Sequence, residues 1–401
     1  LKTPKNNVSS LKIHHGKLLM ITSSEDNQLN FFHLDPDQGR VLYHKAATMT
    51  GEASTFNVSD DLVFIPEFER DDKQKNTFLF RRQGFTLEGE LLWSLEDTIS
   101  FPLDPAIYTI NKNCIFVQSN ANHMYVAGTF LATPDSYFLR SSHPPQQFAF
   151  LYALKPNGTI AWNYTSSVED DACFTGLQCD MEQIYLMGSS TTNFLPKTAT
   201  AFQSEPAGGS DYFLWAMDLN GQTRWATFIG GSKDEAIPED SVLYPREISR
   251  RALLRLQGKA LILAGSTQSQ DYPVKNSLSR SFASHEESQE NEKPCYGILS
   301  VFSTQGQLQW STYLHQEATE EQIQETPPSS ITLKKIPDNE IILSIECWNQ
   351  KVYVVSVSSN PYTLLYNPHH RGLFFKEDEK TLEYVKKNPR SYYFLSVVDL
   401  E

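Results

Sequence analysis

The most informative segment of the chain is FLWAMDLNGQTRW at residues 213–225. It reads as an apolar, aromatic-rich strand, a turn ending in Gly221, and a second strand carrying Trp225. The same order recurs as ILSVFSTQGQLQW at 298–310 and as FLYALKPNGTIAW at 150–162. A phrase repeated at intervals of tens of residues indicates that each copy belongs to one structural unit of an array. The phrase therefore predicts an all-β protein of repeated antiparallel sheets, a β-propeller with four strands, a to d, in each blade.

Strand b of each blade is a compact apolar run bounded by turn formers. These runs lie at 18–22, 62–66, 123–129, 183–188, 260–265 and 340–344. The blades they predict lie near 8–46, 52–96, 112–167, 172–231, 250–315, 328–367 and 372–401. All of them belong to a single propeller domain over 1–401. The reading favours seven blades; six remain an alternative, with 349–390 as one large insertion.

The turn glycines and the tryptophans have separate structural reasons. Gly in the c–d turn supplies a backbone with positive φ. Trp93, Trp162, Trp225 and Trp310 occupy equivalent positions in successive blades. A residue present in every repeat is structural, so we expect these indoles to pack between neighbouring sheets.

Composition excludes several classes of partner. The chain has 401 residues, of which 40% are hydrophobic and 12% aromatic, and its formal net charge is −14. A nucleic-acid binder needs a basic stripe to neutralise phosphates, so we expect no nucleic-acid partner. No stretch approaches the roughly 20 apolar residues of a membrane-spanning helix, so we expect no membrane insertion. We also expect a monomer.

Five cysteines are present, and no pair has CxxC spacing. A zinc knuckle or a thioredoxin-type site is therefore not expected. Cys173 and Cys179 could close a small disulfide loop in an exported protein, or remain two buried thiols on one hairpin.

The motif around the fourth blade resembles the bacterial seven-bladed β-propeller (SBBP) repeat. The resemblance is carried by GSDYF at 209–213, DLNG at 218–221, WATFIGGS at 225–232 and the following DE at 234–235. It is strong over roughly 148–315, where WSTYL, AGST and DYP recur, and thin elsewhere. Tyr43 stands where the repeat has Trp, and His315-Gln316 replaces Gly-Gly, which leaves the blade count open.

The resemblance implies a bacterial protein that is secreted, periplasmic or attached to the cell surface, and it implies no common activity. Quinoprotein dehydrogenase propellers and outer-membrane assembly scaffolds also place Trp shortly after a turn Gly. The continuation of Trp by Ser or Ala, Thr, an aromatic and an aliphatic residue fits the SBBP repeat better.

Strand order sorts the loops onto two faces. The a–b and c–d turns are short, whereas b–c and d–a connections are long, at 130–147, 189–210, 232–249, 266–294 and 367–391. Long loops on a rigid scaffold are where function concentrates, so this face is the predicted binding face. Its candidate ligand-binding residues are Tyr137, Arg140, His143, Asp170, Asp171, Lys233, Asp234, Glu235 and Trp348.

No recognisable catalytic set is present, because GxSxG, Walker, GxGxxG and HExxH motifs are all missing. We assign no catalytic residue, no metal site and no cofactor. The sequence predicts a non-enzymatic binding or scaffolding propeller that engages a protein or a glycan. The alternative is a carbohydrate-active hydrolase or lyase that uses loop carboxylates near the central channel.

Overall fold

The computed structural model describes part of the chain. The described residues are 7–14, 17–23, 28–35, 37–38, 40–48, 56–59, 62–71, 74, 76–135, 145–235, 253–276, 295–314, 340–348, 351–358 and 392–399. They are all-β, and most of the strands form four-stranded antiparallel sheets, with three described strands in the last sheet; hydrogen-bonded neighbours follow chain order. The chain divides into two compact units. Unit 1 comprises Leu1–Gln183 and Leu219–Gly221, and unit 2 comprises Ile184–Asp218 and Gln222–Glu401.

Unit 1 contains three complete sheets. The first consists of β1 (Asn7–His14), β2 (Lys17–Ser23), β3 (Gln28–Leu34) and β4 (Val41–Thr48). The second consists of β5 (Asn57–Ser59), β6 (Leu62–Arg70), β7 (Thr77–Thr86) and β8 (Leu91–Ser100). The third consists of β9 (Tyr108–Ser119), β10 (Met124–Pro134), β11 (Gln146–Leu154) and β12 (Ile160–Thr165). A short 3-10 helix, Val168–Asp170, and β13 (Ala172–Cys179) follow.

Unit 2 contains the remaining strands. First come β14 (Gln183–Ser190), β15 (Asp211–Asp218) and β16 (Thr223–Ile229), in that hydrogen-bonded order. The next sheet consists of β17 (Leu254–Gln257), β18 (Ala260–Thr267), β19 (Tyr296–Ser303) and β20 (Leu308–Tyr313). The last sheet has three described strands, β21 (Glu340–Trp348), β22 (Lys351–Ser358) and β23 (Tyr392–Asp399). Within the described part of the chain, no helix is long and apolar enough to cross a membrane.

Burial follows strand position within each sheet. The central strands are buried on both faces: all eight residues of β19 are buried. The outer strand β12 instead alternates between half-buried and exposed residues. A strand buried on both faces is covered by other elements on each side, which is the environment of an inner strand in stacked sheets.

The turns before the outer strands share one backbone conformation. In the third sheet Gly158 N donates to Lys155 O over 2.8 Å, and Gly306 N donates to Ser303 O over 2.9 Å in unit 2. Both glycines have φ near +80° (80° and 82°). The pairing of the third and fourth strands shifts register beside each turn, which marks a β-bulge. A hairpin of this type needs a left-handed residue, and glycine adopts that conformation without a steric cost.

Each of three strand tryptophans packs against a turn glycine of the following repeat. Within unit 1, Trp93 lies against Gly158 and Trp162 against Gly221; within unit 2, Trp225 lies against Gly306. Two of the indoles also donate a hydrogen bond to the same turn. Trp162 Nε1 reaches Leu219 O over 2.9 Å, and Trp225 Nε1 reaches Thr304 O over 2.8 Å. The predicted packing of these tryptophans between sheets is confirmed, and we call this contact the Trp–Gly contact.

Unit 1 adds an arginine to one of these contacts. The Arg82 side chain is 2% exposed, and its Nη1 donates to Gly158 O over 3.0 Å. Its Nη2 pairs with Asp97, and the guanidinium lies 4.9 Å from the Phe80 ring centroid. The second and third sheets are therefore joined by a charged group as well as by an indole.

The last sheet differs from the sequence analysis in its pairing. The strand at 392–399, which we expected in a separate seventh blade, pairs with β22 from Lys351–Asp399 to Ser358–Tyr392. The tight hairpin in this sheet joins β21 to β22, and the segment 359–391 joins β22 to β23. The expected outer strand at 362–366 lies outside the described residues.

The cysteines carry thiols in this structure. Cys173 and Cys179 are both on β13, six positions apart on one strand. A strand rises about 3.3 Å per residue, which separates their Cα atoms by roughly 20 Å. A disulfide tolerates only about 4.4–6.8 Å, so the loop disulfide considered from the sequence is sterically excluded. Burial, aided by Asp180, raises the pKa of the Cys179 thiol to about 12.

Replacing Gly306 by Ala should destabilise unit 2, because a Cβ there would lie 2.6 Å from Trp225 Cδ2 and φ is +82°. We expect a loss of roughly 2–4 kcal/mol in the free energy of unfolding, measured by urea denaturation. Gly258→Ala is the matched control, since Gly258 also has positive φ but a Cβ would meet nothing within 4 Å. Equal losses in the two variants would show that the Trp–Gly contact adds nothing.

Non-reducing peptide mapping should recover Cys173 and Cys179 without a bridge between them, even after mild oxidation. The reason is their separation along one extended strand. Recovery of a peptide in which the two are joined would contradict the strand assignment at 172–179.

Candidate functional site

The long connections are grouped at one end of each sheet. In unit 1 they include 101–107, 135–145 and 166–171, and in unit 2 they include 191–210, 230–253 and 268–295. This end, which we call the long-connection end, is the part of each unit that the sequence analysis predicted to bind. It contains a cavity in unit 1 and a buried polar network in unit 2.

The unit 1 cavity lies beside the ends of β8 and β12 and has a volume of about 780 Å³. Its apolar wall consists of Ile99, Phe101, Pro102, Phe148 and Tyr152. Thr98, Ser100, Thr165, Ser166 and Ser167, whose side chains carry hydroxyl groups, also line it. Asn163 and Glu169 complete the lining. No lysine, arginine or histidine is among the described residues that line this cavity.

The aromatic side of the cavity is rigid. Phe101 packs against Phe148 with ring centroids 5.1 Å apart, and against Phe130 at 4.8 Å. The pKa of the Tyr152 phenol is raised to about 12 by burial, against an opposing effect of the Arg82 charge. Tyr152 is therefore neutral at physiological pH and keeps its hydroxyl proton.

The polar side is shaped by a short capped helix. Ser166 is held to β11 at both ends: its N donates to Ala149 O, and its Oγ accepts from Ala149 N, each over 2.9 Å. Ser167 N donates to Asp170 Oδ2 over 2.7 Å, which caps the 3-10 helix 168–170. The helix ends at Asp171 in a left-handed conformation with φ 42°. These bonds fix the segment that carries Glu169 to the cavity.

Asp170 and Asp171, two predicted site residues, thus lie next to the cavity and stabilise the segment that borders it. Asp170 caps the helix, and Asp171 Oδ1 accepts from Gln147 Nε2 over 3.5 Å. The sequence analysis did not single out Glu169, Phe101 or Phe148. Their position next to long connections is the signal that could have found them.

In unit 2 the predicted residues Lys233, Asp234 and Glu235 join a network of hydrogen bonds. Lys233 N donates to Ser269 Oγ over 2.9 Å, and Asp234 Oδ1 accepts from Ser210 N over 3.0 Å. Glu235 is 0% exposed, so no ligand reaches it from solvent. The three residues connect the segment 230–235 by hydrogen bonds to the segments around it.

Asp211 is the partner of Glu235 that the sequence analysis missed. It is the first residue of β15 and is 0% exposed. Its Oδ2 accepts from Gln203 Nε2 over 3.0 Å and from Ala207 N. A charged residue opening an otherwise apolar strand was the signal for it.

The other predicted site residues are not brought together. Tyr137, Arg140 and His143 lie outside the described residues. Trp348 ends β21 opposite Lys351, at the tight hairpin and away from the segment 359–391. We expected Trp348 near the binding face, and its backbone lies at the other end of the sheet. Among the residues that are described, no group of three or more His, Cys, Asp or Glu side chains is placed to hold a metal ion.

Comparison with known proteins yields no relative by sequence. No family model matches the chain, and no curated protein matches it.

Several solved structures resemble it distantly. One is the quinohemoprotein alcohol dehydrogenase of Comamonas testosteroni, 13% identical with a TM-score of 0.40, over 87% of this chain and 62% of that one. A second is the Synechocystis apocarotenoid oxygenase, in a Glu-to-Gln variant, 8% identical with a TM-score of 0.39, over 88% of this chain and 66% of the oxygenase. A third is an N10 neuraminidase-like protein of influenza virus from a little yellow-shouldered bat. It is 9% identical with a TM-score of 0.38, over 88% of this chain and 91% of the neuraminidase-like protein. The chain thus spans less than two thirds of the first two proteins, and at these TM-scores the resemblances carry no argument about its activity.

Proposed function

We propose that the chain is a non-enzymatic binding module that recognises a glycan in the unit 1 cavity at its long-connection end. The observation that carries the proposal is the lining of that cavity, in which hydroxyls, one amide and one carboxylate surround an aromatic wall. We further propose that the sheets are blades of a seven-bladed propeller of the SBBP type, exported or attached to the cell surface. The recurring Trp–Gly contact within each unit supports the blade arrangement.

The chemistry of the lining matches a neutral sugar. A pyranose ring presents C–H groups on its faces, which pack on apolar and aromatic walls, and hydroxyls on its edge that both donate and accept. Ser and Thr hydroxyls and the Asn163 amide can both donate and accept hydrogen bonds, and the Glu169 carboxylate can accept them. An anionic ligand would lose hydration there, and the described lining residues offer no cation to compensate it. A volume of about 780 Å³ is within the range of small-molecule sites.

The hydrolase alternative is less well supported. A glycosidase needs two carboxyl groups facing one bond, roughly 5–9.5 Å apart. Of the described residues lining the cavity, Glu169 is the one acidic group. The neighbouring Asp170 is engaged with the helix backbone, and Glu235 in unit 2 is buried away from solvent. These placements favour binding over catalysis.

The double variant Asn163→Ala/Glu169→Ala should lose glycan binding while retaining the fold, because both residues are exposed and line the cavity. Two lost polar contacts predict a fall in affinity of at least about tenfold. The measurement is a glycan array screen with the intact protein, followed by calorimetry on the best sugar.

The matched control is Asn122→Ala/Glu182→Ala, which removes the same two side-chain types from exposed positions at the short-turn end of unit 1. It should bind as the unaltered protein does. Equal affinity of the cavity variant and the control would contradict the proposed site. An array on which the folded protein binds no sugar would contradict the proposed ligand.

A further inference from the structure

Unit 2 buries two carboxyl groups side by side, and the glycan proposal uses neither of them. Asp211 opens β15, and Glu235 lies in the segment after β16. Both are 0% exposed. Burying one isolated carboxylate is costly, and burying two together adds their mutual repulsion.

One oxygen of each carboxyl group accepts hydrogen bonds from a neighbouring segment. Asp211 Oδ2 accepts from the Gln203 amide and from Ala207 N. Glu235 Oε1 accepts from Thr267 Oγ1 over 2.8 Å. The pair therefore links three segments, 203–211, 230–235 and 266–271, at the long-connection end of unit 2.

The two remaining oxygens converge on Gly230. A Cβ on Gly230 would lie 2.5 Å from Glu235 Oε2 and against Asp211 Oδ1. Both oxygens are buried, and neither accepts a hydrogen bond from any donor within the described part of the chain. The two oxygens therefore lie close to the same point, and a proton on one of them allows a hydrogen bond between the two carboxyl groups in place of a repulsion.

A bound cation is the competing explanation for two converging oxygens. Calcium takes six to eight oxygen ligands and magnesium six. No group of three acidic or other metal-ligating side chains occurs here among the described residues. A shared proton needs only the two oxygens that are present.

We propose that Asp211 and Glu235 share a single proton, donated by Glu235 Oε2 to Asp211 Oδ1, and that this proton stabilises the long-connection end of unit 2 most in acid, with the stabilisation falling through neutral pH and lost in alkali. The proposal does not depend on the glycan site, which lies in unit 1. Losing the proton leaves two buried charges and weakens the attachment of the three segments to one another.

The surroundings favour the protonated pair. Burial, followed by the hydrogen bond with Asp211, raises the pKa of Glu235 to about 8. Among the described residues, the other titratable and charged groups around the pair are Tyr212, Tyr272, Tyr313, Cys295, Asp234, Asp271 and Lys233. Burial raises the pKa of all three tyrosines, which therefore stay neutral. The pKa of Asp271 is lowered by its hydrogen bond from Ser232 N, so this carboxylate stays ionised.

The direction of the pH effect follows from the raised pKa. The pKa of a glutamate is about 4.5 in the unfolded chain, and burial raises it to about 8 for Glu235 in the folded chain. Between these values the folded state holds a proton that the unfolded state releases, so raising the pH favours unfolding. The stabilisation is complete below the lower value and is lost as the pH rises through the upper one.

Glu235→Gln tests this directly, because its amide can donate to Asp211 Oδ1 while its carbonyl still accepts from Thr267. We would measure the melting temperature of the unaltered protein and of the variant between about pH 5 and pH 9. The difference between them should shift by at least roughly 4 °C in favour of the variant as the pH rises. Asp211→Asn should behave in the same way, since it lets Glu235 ionise beside an amide donor. Asp271→Asn is the control and should leave this pH dependence unchanged.

Infrared spectroscopy of the unaltered protein gives a second readout that does not require a folded variant. A band from a protonated carboxyl group should be present at neutral pH and disappear in alkali, and Glu235→Gln should lack it. Absence of the band in the unaltered protein, or an unchanged pH dependence in both single variants, would overturn the proposal. A pH dependence abolished by a chelator, with a metal ion found by elemental analysis, would overturn it in favour of a cation site.

Discussion

The structure depends on the contact between a tryptophan indole and a left-handed glycine turn. The turn needs glycine for its backbone conformation, and the absence of a Cβ leaves room for the indole ring. In two of the three contacts, those of Trp162 and Trp225, the indole N–H also satisfies a carbonyl of the turn. One contact thus provides burial, shape and a hydrogen bond together. The repeats that carry Gly158 with Trp162 and Gly221 with Trp225 each supply one half of two successive contacts.

This arrangement separates stability from recognition. The short turns are committed to the Trp–Gly contact, so their sequences have little freedom to vary. The long connections do not form the Trp–Gly contact, and in unit 1 they border the cavity lined by Phe101 and Glu169. The scaffold can therefore hold a binding site whose residues change without loss of the sheets.

In unit 2 the same end is used differently. The carboxyl groups of Asp211 and Glu235 are buried and connect three segments by hydrogen bonds. The sequence analysis placed Glu235 on a binding face because it lies in one of the long connections. The burial of Glu235 instead removes it from any ligand and gives it a structural role with a proton attached.

Most of the strands, their turns and the packing of three tryptophans could be predicted from the sequence, because each depends on short-range patterns: alternation along a strand, glycine in a turn, and a phrase that repeats. The pairing of the strand at 392–399 and the composition of the sites could not be predicted, because they depend on tertiary packing. Phe101 and Phe148 meet across two sheets, and Asp211 and Glu235 meet at Gly230, although each pair is far apart along the chain. Such encounters depend on how sheets pack. Local sequence patterns carry no information on which distant side chains share a cavity or a proton.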